Sequence, residues 1–136
     1  MKYIYNVTYH IAPEVSAQWQ AWIGEHMPQW LEQSQFSQVK LLKIHIDHPD
    51  SEAFSLQYET EDSSVVAHFQ SALEPTYRRA LYEQFGEKVL SFGTLLQELA
   101  EVKREEWKAK RNWCSVLNNN MLWWLLFFVF TLVADY

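Results

Sequence analysis

The chain opens with a strict alternation. In "YIYNVTYHI", Tyr3, Tyr5, Val7 and Tyr9 fall on one side and Ile4, Asn6, Thr8 and His10 on the other, which predicts a first β-strand. The period then changes. In "EVSAQWQAWIGEHMPQWLEQ", Val15, Trp19, Trp22, Ile23, His26, Met27, Trp30 and Leu31 recur at three- and four-residue steps, the mark of one buried helical face. Pro13 and Glu14 suit the start of that helix, and Pro28, unable to donate to the Gly24 carbonyl, is expected to kink or tighten it near His26.

"FSQVKLLKIHID" and "EAFSLQYET" read as two strands of a hairpin joined through "HPDS". "EDSSVVAHFQSAL" offers Asp62 and Ser63 as caps ahead of helically spaced Val65, Val66, Phe69 and Leu73. Pro75 interrupts this helix, and "TYRRALYEQF" continues as a further piece ending at Gly86, a residue suited to a left-handed cap. "KVLSFGTLLQEL" supplies a fourth strand, with Val89, Ser91, Gly93 and Leu95 set against Leu90, Phe92, Thr94 and Leu96.

The order βαββαβ predicts an α+β ferredoxin-like fold, an antiparallel sheet with two helices on one face. That leaves the other face open. Because that face also carries apolar residues, a second copy packed sheet to sheet is the economical cover, and a homodimer is expected.

Four stretches, "YIYNVTYHI", "WIGEHMPQWLEQSQF", "FSLQYE" and "FGEKVLSFGTLLQEL", resemble in this order a family of small bacterial proteins known as a domain of unknown function. Glu25, His26, Met27 and Pro28 match its Glu-His-x-Pro pattern, with the bulky Trp30 two positions on. The resemblance covers residues 3–100. It implies the dimeric α+β barrel group, related in fold to antibiotic-biosynthesis and haem-degrading monooxygenases, and it supplies no reaction. The tail has no counterpart in the family pattern.

Charge divides the chain at the same place. Residues 1–100 hold 6 Lys/Arg and 13 Asp/Glu, net −7, and residues 101–136 hold 5 and 4, net +1. The expected organisation is a domain over 1–100, a basic linker or helix over 101–120 and a hydrophobic C-terminal helix over 121–136. A formal charge of −6 argues against nucleic acid as a partner, which requires a basic surface. The single cysteine, Cys114, forms no internal disulfide, and the N-terminus lacks the apolar run of a secretory signal, so a cytoplasmic protein is expected.

The tail "MLWWLLFFVFTLVADY" is uncharged before Asp135. Its apolar run over 121–134 is shorter than the roughly 20 residues that span a bilayer. Yet Trp113, Trp123 and Trp124 suit an interfacial belt, Leu125, Phe127 and Phe128 an apolar contact, and Lys103, Arg104, Lys108, Lys110 and Arg111 a cytoplasmic flank. The expectation is attachment to the inner face of the cell membrane. Burial in a protein interface is one alternative, and a tail with no selected role is another.

Within the domain, Trp22, His26, Trp30, Tyr58 and Phe92 are the expected lining of a ligand pocket between helices and sheet, its ligand unidentified. His26 is the candidate catalytic residue of a small monooxygenase-like enzyme, set against the simpler reading of a hydrogen-bonded core histidine. Aromatic residues at helical spacing are, equally, ordinary packing. Arg78 or Arg79 is a candidate clamp for a carboxylate, and the simpler reading is a solvated helix face. His45, Asp47 and His48 are too few and too loosely set for an expected metal site. No phosphate loop, nucleophile elbow, paired-cysteine motif or haem attachment motif occurs, so no cofactor is expected.

Overall fold

A computed structural model describes residues 1–47 and 50–105. The chain divides into two units, Met1–Leu99 and Ala100–Tyr136. Of the second, residues 100–105 are described, with Arg104 and Glu105 helical. The expected contact residues of the tail, Trp113, Trp123, Trp124, Leu125, Phe127 and Phe128, and the expected hydrophobic helix lie outside the described residues, as do His48 and Cys114. Among the described residues no helix is long and apolar enough to cross a membrane.

The first unit runs β1 (Tyr3–Ile11), α1 (Ser16–Gln33), β2 (Gln38–Ile44), β3 (Glu52–Thr60), α2 (Ser63–His68), α3 (Glu74–Phe85) and β4 (Val89–Gln97). The strands form one sheet in the order β2-β3-β1-β4, every neighbouring pair antiparallel. This is the α+β ferredoxin-like arrangement, with β1 central because the β2–β3 hairpin and β4 add on opposite sides of it.

Register assigns the faces. Tyr5 stands opposite Tyr58 and Leu95, Val7 opposite Leu56 and Gly93, and Tyr9 opposite Phe54 and Ser91. Side chains alternate across a strand, so these residues share the side on which the helices lie. Tyr5, Val7, Tyr9, Phe54, Leu56 and Tyr58 are buried there with Trp19, Ile23 and Trp30 of α1 and Leu81 and Phe85 of α3. Full burial of an aliphatic or aromatic side chain contributes about 1.5–3 kcal/mol, so this layer carries most of the domain's stability.

Local chemistry sets the helix boundaries. Pro13 begins a short 3-10 turn, Pro13–Val15, that leads into α1. Helix α1 then runs through Pro28 to Gln33, burying Trp19, Ile23 and Trp30 but leaving Leu31 at its exposed edge. Asp62 caps α2, its Oδ1 accepting from the Ser64 backbone N–H at 2.9 Å. Between α2 and α3 the chain makes a π turn, Phe69–Leu73, in which the Glu74 N–H reaches back to the Phe69 carbonyl. The widened turn precedes Pro75, whose ring would crowd the preceding turn of a regular helix, so the helical path bends without stopping. Gly86 follows α3 at φ +62°, a backbone angle that favours glycine.

Candidate functional site

Helix α1 places Trp22, His26 and Trp30 one turn apart on the same side. The His26 ring lies 4.3 Å from Trp22 and 5.7 Å from Trp30 between centroids. Trp22 meets Phe85 of α3 edge to face at 5.7 Å, and Trp30 stacks on Tyr77 at 4.5 Å. These contacts join α1 to α3. His26 Nδ1 is 2.7 Å from the Trp22 carbonyl, one helical turn earlier. A carbonyl only accepts, so Nδ1 is the donor in that bond. His26 is half-buried at the seam between the helices.

Tyr58 belongs to a second aromatic group, 4.7 Å from Phe69 and 5.1 Å from Phe36. Phe92 joins neither. It pairs with Thr8 in register, faces away from the helices and stacks against His10 at 6.0 Å. Of the five expected pocket residues Phe92 alone is set apart from the rest, and the two-residue period of β4 is the reason: Ser91, one step away, lies on the helix side.

What lies on the helix side is a cavity of about 20 Å³, lined by Tyr9, Trp30, Tyr58, Phe69, Tyr77, Ser91 and, from α3, Glu74, Arg78 and Leu81. It has room for about one water-sized group. Glu74 is its anionic element, only 7% exposed although it opens a helix. Arg78, one turn on and half exposed, donates to Glu74 Oε1. Glu74 Oε2 is buried with no hydrogen-bond partner among the described residues.

The phenols around this carboxylate register its charge. Burial raises the Tyr9 hydroxyl far above its usual range, and the Glu74 charge adds to that. Burial likewise raises Tyr5, whose hydroxyl also reaches the Glu74 carboxylate as a donor, and it raises Tyr58, with neighbouring phenols and then Glu74 adding to it. The arrangement is a carboxylate beneath the aromatic layer, held on one side by a guanidinium.

Sequence reasoning weighed Arg78 as a carboxylate clamp but passed over Glu74, Tyr9 and Ser91. The Glu74-to-Arg78 spacing of four was the available signal. The pattern leaves Glu74 between two helical stretches, beside Pro75, whereas the structure makes it the first residue of α3.

The hairpin end is separate. His45 and Asp47 lie beyond the end of β2 and are exposed. Among the described residues no three His, Cys, Asp or Glu side chains gather in a metal-binding arrangement.

These features define a ferredoxin-like α+β domain with an aromatic interior, a small polar cavity under α3 and a sheet face that the described residues leave open. The chain belongs to the family described as "Domain of unknown function (DUF4286)", whose model matches residues 2–99. No curated protein matches it. Among solved structures it is similar to a dimeric ferredoxin-like protein from an uncultured marine organism, with a TM-score of 0.61 and 12% identity over 74% of this chain and 98% of that one. It is also similar to the de novo designed protein Foldit4, with a TM-score of 0.50 and 7% identity over 72% of this chain and 99% of that one. At such identities the likeness is one of fold.

Proposed function

We propose that this chain is a homodimeric ferredoxin-like module, two sheets packed face to face in a dimeric α+β barrel, held at the cytoplasmic face of a membrane by residues 121–134 and serving there as a scaffold or small-ligand carrier. The observation that carries the dimer is where the exposed apolar side chains lie. On the open face of β4, Leu90 is 63% exposed and Phe92 51%, with Leu96 beside them and Leu42 exposed on β2. A patch of this kind on a folded domain marks an interface. The marine ferredoxin-like protein of similar fold is described as dimeric, which supports the same reading.

Sedimentation velocity of the full chain at micromolar concentration tests it. A dimer that dissociates on replacing Leu90→Asp and Phe92→Asp, with helical circular dichroism retained, is the expected result; a monodisperse monomer of the unaltered chain overturns it. The membrane element rests on the tail sequence alone. Full-length protein should stay in an alkali-washed membrane pellet, and a chain ending at Glu101 should not.

A second reading, a small monooxygenase-like enzyme, has one structural observation in its favour, the carboxylate-lined cavity between α3 and the sheet. Saturable quenching of tryptophan fluorescence by a flavin, haem or quinone-like compound is its test, and silence across that panel removes it.

A further inference from the structure

We propose that the cavity under α3 binds the head of a protonated primary amine, with Glu74 Oε2 as its acceptor. The proposal rests on the geometry of the helix–sheet cavity and does not depend on the dimer. Glu74 is more than nine-tenths buried, and a buried carboxylate oxygen left without a donor carries a desolvation cost larger than that of a neutral group. Arg78 meets only Oε1, so the guanidinium fixes the carboxylate's orientation and leaves Oε2 as the unfilled acceptor.

The surroundings favour a cation over a neutral donor. Trp30, Tyr58, Phe69 and Tyr77 present aromatic rings around the cavity, and ring faces attract an ammonium group by their quadrupole. Their contribution to an alcohol of the same size is much smaller. Arg78 opposes a second cation, but its half-exposed side chain is screened by water. The volume of about 20 Å³ admits an ammonium or methylammonium head and excludes a quaternary one, so the remainder of a longer amine would leave along the Arg78 side.

Methylammonium chloride titrated into the full-length protein, against sodium chloride at matched ionic strength, is the experiment, read by the NMR shifts of the Trp30 indole and of the α3 amides. A ligand of so few atoms is expected to bind in the millimolar range. Methanol and tetramethylammonium should produce no saturable shift. Glu74→Gln should abolish the methylammonium response at least tenfold. Tyr77→Leu, at a half-buried position on the cavity wall, removes one ring face and should weaken the methylammonium response several-fold; this arm decides the matter if the Glu74 variant does not fold. No saturable response to methylammonium, an equal response to methanol, or an undiminished response in Tyr77→Leu overturns the proposal, and Oε2 is then served by water or by the nearby Tyr5 hydroxyl.

Discussion

Leu56 and Ser55 are neighbours on β3 and look out on different surroundings. Leu56 points toward the helices and is fully buried among Val7 and the aromatic residues of α1 and α3; Ser55 points to the other face, where its hydroxyl donates to Asn6 Oδ1. The same division runs through the sheet. The covered side is stacked with aromatic rings, and the open side has a polar centre, Asn6, Thr8 and Ser55, bordered by apolar Leu42 on β2 and Leu90, Phe92 and Leu96 on β4. The two faces differ in what closes them: the covered side is closed by the chain's own helices, while the open side keeps polar side chains at its centre that water can serve.

The contrast is broken or upheld most directly by truncating each side. Leu56→Ala should cost about 2–5 kcal/mol, because the site is enclosed and collapses incompletely around the missing atoms. Leu90→Ala on the open face should cost about 0.5 kcal/mol or less when measured in the monomer at high dilution. Urea unfolding at fixed low concentration reads both. Equal losses would mean that β4 is as much a part of the core as β3.

Much of this was legible before any coordinates. A two-residue period in "YIYNVTYHI" states which residues share a face, and β1 obeys it from Tyr3 to Ile11. The helical spacing of Trp19, Ile23 and Trp30 survives as the buried stripe of α1. The site was less legible. Phe92 was grouped with Tyr58 because both are aromatic, although the alternation of β4 already put it with Leu90. Glu74 is not legible because burial of a charged residue is a property of the assembled layers: it opens α3 directly after the π turn and lines the cavity between that helix and the sheet. Pattern reports the face of an element, and it does not report how two elements approach.

Gly93 probes how tightly the covered side is closed. It lies on that face of β4, and a Cβ added there would stand 2.6 Å from Tyr5 Cζ and closer still to the hydroxyl oxygen. Glycine is present because the Tyr5 ring passes over the strand. Gly93→Ala should therefore destabilise by about 1–3 kcal/mol, the usual cost of overfilling a packed site. In a Tyr5→Ala background the same methyl should cost far less, and a double-mutant cycle by thermal or urea unfolding measures the difference. Additive losses would show that the ring does not press on the strand.

The smallest effect belongs to the polar seam. Ser55→Ala removes one hydrogen bond to Asn6, whose amide nitrogen keeps its bond to Thr8 Oγ1 at 3.1 Å. Asn6 is half-buried, so in the free monomer water can replace the lost donor and the cost should be about 0.5–1.5 kcal/mol. If a second copy covers this face, water is excluded and Asn6 Oδ1 is stranded, so the penalty should grow as protein concentration rises through the dimerisation range. Equilibrium unfolding of Ser55→Ala at two concentrations an order of magnitude to either side of that range distinguishes the cases. A penalty that does not change with concentration would place the seam outside the dimer interface and move the contact toward the outer edge of β4.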